Sequence, residues 1–368
     1  MLLISRRLWV NYKNTRLTKH LSGNLFKRVL KLSFIMILLI IINSVSMIFF
    51  EKMSPGDAVW LSLTTMTTVG YGDFSPSTFM GRATTTIFMY GLAISVLTML
   101  ISEIIEWRIF TALKKKQGLW EWKDMLDHIQ IINTPKIDAE RYLLRLIKEM
   151  KSTPQLSDLP IQLLTRKYPD GLPGSLESLK VLHRTGEAED GSILSTIGIA
   201  SAKYIVILAR DYSDSISDSV TFDILSRVLE INPNTTVVVE AILDENRKRF
   251  LKMGASAVLR PVRAYPQIVV RSLTNIGSER LLENLFESHG DSIHCVDCEL
   301  NGITWKDAVI KCIDNNLGTP IGYFSKGELF SQPDFNVECN GDSLAIIVKE
   351  NVDVTSDMVT RALALPND

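Results

Sequence analysis

The residues whose spacing best suits a specific chemistry form the run TTVGYGD, residues 67–73. Gly70 and Gly72 alternate with bulkier residues, and glycine readily adopts a positive φ angle. Successive carbonyl groups can therefore face the same side, and copies of the run around an axis would form stacked rings of carbonyl oxygens. Such rings replace the water shell of a dehydrated K⁺. The run thus predicts K⁺ sites at Thr68, Val69, Gly70 and Tyr71, with the Thr68 hydroxyl completing the innermost one.

Two apolar segments flank this run. Residues 32–50 and 83–102 are 19 and 20 residues without a charge, and about 20 residues cross the hydrocarbon core of a bilayer as a helix. Between them, residues 58–72 are 15 uncharged residues, too few to cross. Backbone of this kind inside a bilayer must be buried in protein or line a water-filled cavity. We therefore expect a re-entrant segment, with a short helix over 60–67 whose C-terminal end favours a cation.

The distribution of charge predicts the orientation. Residues 1–31 carry eight Lys/Arg and no acid, whereas residues 51–82 carry two basic and three acidic residues. Basic residues follow the second span at Arg108 and Lys114 to Lys116. The positive-inside rule then puts both termini in the cytoplasm of a multi-pass protein of the inner or plasma membrane. The net charge of −1 lacks the basic excess typical of nucleic-acid binders, so we expect no nucleic-acid partner.

Span, short helix, TTVGYGD and span together resemble the pore of two-transmembrane potassium channels, over about residues 30–106. The resemblance implies a selectivity filter and supporting residues behind it. The filter would be Thr68, Val69, Gly70, Tyr71 and Gly72, supported by Trp60, Thr64, Thr67 and Asp73. Thr64 stands where several such channels have a buried Glu. Gly91 precedes the usual hinge position by one residue, and it either bends the second span or allows close packing. One filter segment cannot close a ring, so we expect a homotetramer.

The remainder of the chain reads as strands alternating with helices, which predicts a doubly wound parallel sheet. We expect strands at 127–132, 161–165, 179–183, 204–208, 236–240 and 257–259, and helices at 137–151, 219–231 and 245–253. Residues 292–349 suggest a smaller α+β lobe. The predicted fold is therefore a membrane all-α pore, then an α/β Rossmann-like domain and a small C-terminal lobe. The boundaries are 1–28 (basic N-terminus), 29–106 (pore), 107–124 (linker), 125–285 (Rossmann-like domain) and 286–368 (lobe).

A pore followed by such a domain resembles the RCK-type channels, whose cytoplasmic domain regulates conductance. The best local matches are Gly186-Glu187, Leu194, residues 202–207 and residues 251–255. Two features depart from the family. The turn after the first strand, residues 133–137, has none of the glycines that bring a helix N-terminus to a pyrophosphate. Of the acids that calcium-gated relatives use at the ends of strands four and five, only Glu240 remains.

Basic residues suggest a different ligand. Arg166, Lys167, Arg184 and Arg210 are expected just past the C-terminal ends of strands, where open α/β sheets bind ligands. With Glu240 they form the candidate regulatory site, and the hypothesis is an anionic ligand such as a nucleotide. The alternative is that these residues are scattered surface charges. The acids Asp211, Asp214 and Asp218 are a second possible ligand set, for Ca²⁺, or else solvated residues at the start of a helix.

The sequence as a whole predicts a K⁺-selective, ligand-gated channel. A calcium-gated or a non-selective cation channel is the alternative. An NAD-dependent enzyme is the least favoured function, because neither the Gly-rich turn nor a nucleophile–base pair is evident. Four cytoplasmic domains would not complete the eight-domain ring of RCK relatives, and Met125 could begin a separately made soluble copy.

Overall fold

The computed structural model describes residues 2–260, 264–287, 290–350 and 352–364, with side chains from residue 27 onward in these ranges except at 264 and 265. The side chains of residues 1–26, which make up most of the predicted basic segment 1–28, thus lie outside the described part of the structure. The chain divides into two compact units, residues 1–116 and 117–368.

The regular elements described in the first unit are all helices. Its elements are α1 (Leu2–Glu51), α2 (Pro55–Met66), α3 (Phe79–Thr85), a π-helical segment (Thr86–Ala93) and α4 (Ile94–Lys116). Among the described residues, Lys27–Glu51 and Phe79–Lys116 are long and apolar enough to cross a membrane, and they contain the two predicted spans. The re-entrant helix α2 begins five residues earlier than expected, because Pro55 takes its first position and the Ser54 hydroxyl accepts a hydrogen bond from the Asp57 amide.

The second unit contains the predicted parallel sheet. Its strand order is β3-β2-β1-β4-β5-β6, so the order reverses between β1 and β4, where doubly wound folds bind ligands. The strands are β1 (His128–Ile132), β2 (Ile161–Thr165), β3 (Leu182–Thr185), β4 (Ala202–Ile207), β5 (Thr236–Glu240) and β6 (Ala257–Leu259). The helices and one short 3₁₀ turn are α5 (Ala139–Ser152), α6 (Gly174–Glu177), α7 (Gly191–Leu194), Ile199–Ser201, α8 (Ile216–Ile231) and α9 (Asn246–Met253).

The third strand differs from its prediction. We expected it at 179–183, but β3 spans Leu182–Thr185. Lys180 has a φ of +57°, a turn conformation that interrupts any extended run begun at 179. The strand is therefore shifted by three residues at its start, and its C-terminal end lies past Arg184.

The C-terminal lobe follows two helices, α10 (Ala264–Thr274) and α11 (Ser278–Phe286). It is a four-stranded antiparallel sheet of order β7-β10-β8-β9 with helices packed on it, as the α+β prediction expected. Its elements are β7 (Ser292–Thr304), α12 (Trp305–Asp314), β8 (Thr319–Ser325), β9 (Glu328–Ser331), β10 (Glu338–Val348) and α13 (Ser356–Ala364). Trp305, Cys312 and Leu344 are buried in its core, and the cysteine is free.

Candidate functional site

The backbone of the TTVGYGD run alternates in handedness. Thr68, Gly70 and Gly72 have φ angles of +60°, +51° and +77°, whereas Val69 and Tyr71 between them lie outside the positive-φ region. Alternation of this kind turns successive carbonyl oxygens toward one side of the chain. A positive φ is costly for a β-branched residue such as Thr68 and persists only where the surroundings enforce it. The predicted filter segment is therefore an extended, strained strip of carbonyls.

The C-terminal turn of α2 holds this strip. The carbonyl oxygen of Thr64 accepts hydrogen bonds from the amides of Val69 and Gly70, at 2.9 and 3.1 Å. The buried Thr64 hydroxyl donates to the Trp60 carbonyl at 3.0 Å, and the Thr67 hydroxyl donates to the Leu63 carbonyl at 2.8 Å. Thr64 thus contacts the strip through its backbone oxygen rather than through an acidic side chain.

Two of the predicted supporting residues meet Tyr71 of the predicted filter at the other end of the strip. The indole Nε1 of Trp60 donates to Asp73 Oδ2 at 2.8 Å. The rings of Trp60 and Tyr71 are stacked, with centroids 5.7 Å apart and planes at 2°. The indole therefore ties α2 both to the aromatic residue of the strip and to the carboxylate that follows it.

Gly91 lies inside the π-helical segment Thr86–Ala93, in the middle of the second apolar helix. A π-helical turn is a recognised cause of bending and often marks a functional position. A Cβ added at Gly91 would meet only its own helix, the Thr86 carbonyl at 3.6 Å. Both predicted roles of Gly91, bending of the helix and close packing, stay predictions.

Sequence reasoning missed a set of polar side chains behind α2. Asn43 and Ser44 on α1, Ser62 on α2 and Thr85 on α3 are buried and hydrogen-bonded to one another or to nearby backbone. The available signal was an amide side chain inside an uncharged span, because polar residues within a membrane are expensive and usually functional.

The basic residues of the predicted regulatory site have partners on their own chain. Arg166, just past β2, forms an ion pair with Glu187. The Lys167 ammonium donates to the carbonyls of Pro135 and Lys136, at 3.1 and 2.8 Å. Arg210, past β4, forms a two-pronged ion pair with Glu189 and also donates to Asn133 Oδ1 at 3.1 Å.

The predicted position of Arg184 is wrong. Arg184 lies within β3 and is buried, because the strand extends to Thr185. Its guanidinium donates to Thr196 Oγ1 at 3.0 Å and to the Gly118 carbonyl at 3.2 Å, and burial lowers its pKa. Arg184 therefore binds the segment that follows α4 rather than facing the crevice.

Glu240 ends β5 in a cage of donors. Its carboxylate accepts from the Tyr142 hydroxyl at 2.7 Å, the Ala209 amide at 2.9 Å and the Tyr212 hydroxyl at 3.3 Å. Burial nonetheless raises its pKa. With two tyrosine hydroxyls and an amide directed at it, the carboxylate has few lone pairs left for a cation.

The neighbouring acids are also used within the chain. Asp218 is buried and accepts from the amides of Ile242 and Leu243, at 2.8 and 3.0 Å. Asp211 pairs with Lys136 at 2.8 Å, and hydrogen bonds from Lys136 and Ser213 lower its pKa to about 2. In the ranges that the structure describes, no group of three or more His, Cys, Asp or Glu is placed to hold a metal ion.

The family comparison bears on the first unit. Residues 33–109 match the family model described as an ion channel, Ion_trans_2. The first unit of this chain is therefore similar to an ion channel domain. Relatives that match more of the chain are named potassium channels, and the chain is similar to them.

The relatives are distant. A probable potassium channel protein 2 of Methanocaldococcus jannaschii is 26% identical over 212 residues, which are 55% of this chain and 56% of the relative. The calcium-gated potassium channel TvoK of Thermoplasma volcanium is 24% identical over 305 residues, 81% of this chain and 83% of the relative. The chain thus spans little more than half the length of the first relative. A solved structure, the GsuK channel bound to NAD, is 18% identical, covers 93% of this chain and 59% of that chain, and has a TM-score of 0.45; so low a score supports no inference.

Proposed function

We propose that four copies of this chain form a K⁺-selective pore across the membrane. The observation that supports this function is the alternating backbone of residues 68–72, because four such strips around an axis form stacked rings of carbonyl oxygens. K⁺ would bind at Thr68, Val69, Gly70 and Tyr71, with Gly72 closing the strip. The pore domain comprises residues 29–106, and Gly91 is its hinge.

We place the protein in the inner or plasma membrane with both termini in the cytoplasm. Arg28 and the run Lys114 to Lys116 lie at the ends of the two apolar helices that would face the cytoplasm, whereas Glu51, Asp57 and Asp73 lie on the opposite side of the spans. This distribution follows the positive-inside rule.

The cytoplasmic part would regulate the pore. It consists of a linker at 107–124, a Rossmann-like domain at 125–285 and a lobe at 286–368. Its helices α10 and α11 and the turn between them expose apolar side chains, with Leu273, Ile276 and Phe286 exposed by 78%, 94% and 74% in a single chain. We propose that a second copy covers them, because the tetrameric pore already brings such domains together. Copies begun at Met125 would add further domains to the same surface.

We propose an anionic gating ligand such as a nucleotide at the crevice between β1 and β4. Arg166 and its partner Glu187 are both substantially exposed, with 62% and 49% of their side-chain areas accessible. Ion pairs this exposed are weak, so a phosphate group of higher charge can displace the carboxylate. The ligand gates only if it prefers one state of the domain, and a change from mostly closed to mostly open needs about 5.5 kcal/mol of such preference.

Calcium gating is the second candidate, because the relative that matches 81% of this chain is named a calcium-gated channel. The hydrogen bonds around Glu240 argue against a calcium site at that position, since two tyrosine hydroxyls and an amide already bind its carboxylate oxygens.

The pore proposal is tested with the purified full-length protein in planar bilayers. We expect a reversal potential close to that of K⁺ in a K⁺/Na⁺ gradient. Gly70→Ala should abolish the selectivity, because alanine disfavours the φ of +51°. Gly302→Ala, at a φ of +70° in the C-terminal lobe, is the matched control and should keep it. Equal permeability of Na⁺ and K⁺ in the wild type would refute the proposal.

The ligand proposal is tested in the same bilayers. We perfuse the cytoplasmic face with ADP and ATP and, separately, with Ca²⁺. Replacing Arg166 and Arg210 together by Gln should remove a nucleotide response, whereas Arg227→Gln, which breaks an ion pair on the outer face of α8, should keep it. A Ca²⁺ response that Glu240→Gln removes would instead support calcium gating.

A further inference from the structure

The two apolar helices and the re-entrant helix are joined by polar side chains in the interior of the first unit. This polar cluster consists of four side chains that are each buried within a single chain: Asn43, Ser44, Ser62 and Thr85. Asn43 is fully buried and has the single amide side chain of the uncharged segment 32–50. An amide in that environment is expensive unless its polar atoms are hydrogen-bonded.

Asn43 is the centre of the cluster. Its Nδ2 donates to Ser62 Oγ on α2 at 2.9 Å, and its Oδ1 accepts from Thr85 Oγ1 on α3 at 3.5 Å. Beside it, the Ser44 hydroxyl donates to the Ala58 carbonyl at 3.3 Å, which is also the acceptor of Ser62 at 2.8 Å. The Asn43 side chain of α1 therefore contacts both α2 and the start of the second span.

The cluster lies one short step from the filter segment. Ser62 precedes Thr64 by two residues on α2, and the Thr64 carbonyl accepts the amides of Val69 and Gly70. A rotation or a lateral shift of α2 would carry that carbonyl with it and change the spacing of the carbonyl strip. Since α2 is only 12 residues long, bonds at Ser62 restrain the whole helix.

We propose that Asn43 is a positioning residue for the selectivity filter, which it fixes through Ser62 and the Thr64 carbonyl. This inference rests on the proposed K⁺ channel function and adds to it a determinant of selectivity 25 residues before the filter, on the outer helix. Asn43 does not touch the permeating ion. It sets the geometry of the oxygens that do.

The test compares K⁺/Na⁺ permeability ratios from reversal potentials of the full-length channel in bilayers. Asn43→Leu removes both bonds of the amide, and Ser62→Ala removes its acceptor on α2. Ser62→Thr keeps the hydroxyl and is the conservative variant. Ser46→Ala is the matched control, because the Ser46 hydroxyl of the same span donates only to its own helix, at the Ile42 carbonyl, 2.8 Å. Tetramer content on native gels accompanies each variant.

Asn43→Leu and Ser62→Ala should each lower the permeability ratio about fivefold, the effect expected of one interhelical hydrogen bond in a bilayer. Ser62→Thr and Ser46→Ala should keep the wild-type ratio, and the double variant should lose no more than either single one. Ratios that stay unchanged in tetrameric Asn43→Leu would overturn the inference. If Asn43→Leu does not assemble, Ser62→Ala decides alone by the same criterion. A wild-type channel without K⁺ selectivity would overturn both proposals, whereas a selective wild type with unaffected variants overturns only this one.

Discussion

Replacing Gly118 by alanine should release the segment after α4 from the sheet. Gly118 has a φ of +68°, and a Cβ there would lie 2.7 Å from the Thr185 backbone nitrogen and from His183 Nδ1. At that position the Gly118 carbonyl accepts from the Thr185 amide at 2.8 Å and from Arg184 at 3.2 Å. The Thr185 nitrogen belongs to β3, which is fixed by its pairing with β2, so the added methyl group must displace the segment.

The size of the effect follows from the contacts removed. Two hydrogen bonds at ~1 kcal/mol each, together with ~1 kcal/mol for a left-handed alanine, give roughly 3 kcal/mol, or about a hundredfold in the docking equilibrium. Hydrogen exchange of the full-length protein reports this equilibrium directly at the Thr185 amide, which should exchange about a hundredfold faster in Gly118→Ala.

Two control glycines separate the cost of a positive φ angle from the cost of the steric contact. Gly302→Ala carries a similar backbone cost at a φ of +70° but meets no atom within 4 Å, and Gly174→Ala has neither problem. Neither variant should change exchange at Thr185. An equally protected Thr185 amide in Gly118→Ala would refute the inference that this glycine docks the segment on β3.

Three further outcomes are expected. Gly81→Ala should lower the thermal midpoint of the full-length protein, because its Cβ would lie 2.1 Å from Glu51 Oε1 and break the hydrogen bonds of that carboxylate to Thr78; an unchanged midpoint contradicts this. Because the pKa of Glu240 is raised, its carboxyl group stays protonated to higher pH in the folded state than in the unfolded state. The free energy of unfolding therefore falls as pH rises above about 4.5. Glu240→Gln should reduce this dependence on pH in thermal melts from pH 4 to 8. Phe250→Ala, which deletes a fully buried ring stacked 3.8 Å from Phe222, should cost about 3–5 kcal/mol in denaturant unfolding, and a cost below ~1 kcal/mol would contradict the packing.

The sequence was sufficient to predict the structure where local backbone preferences determine it. The glycine spacing of the filter run predicted alternating carbonyls, and the backbone there alternates. Strands β2, β5 and β6 begin and end at the predicted residues, because turn-forming residues border each apolar run. Strand β3 was misplaced because one residue, Lys180, adopts a turn conformation that its type does not announce.

The partners of the charged residues were beyond sequence reasoning. Arg166 and Arg210 were recognised as basic residues past strand ends, but each pairs with a carboxylate 21 residues away, Glu187 and Glu189. Such pairs depend on which loops the sheet order brings together. The crevice is consequently less positive than the sequence suggests.

The turn after β1 shows what kind of binding this crevice can support. In a glycine-rich turn, free amides at the helix start face a phosphate. Here the Lys136 amide donates to the Arg210 carbonyl at 2.7 Å, and the carbonyls of Pro135 and Lys136 are turned toward the Lys167 ammonium. The Lys136 amide is therefore already bonded, and two carbonyls of the turn already accept from a lysine. An anion at this edge must be held by the side chains of Arg166 and Arg210, whose binding is weakened by salt more than that of a buried amide cradle. A nucleotide response that survives high ionic strength would argue against this arrangement.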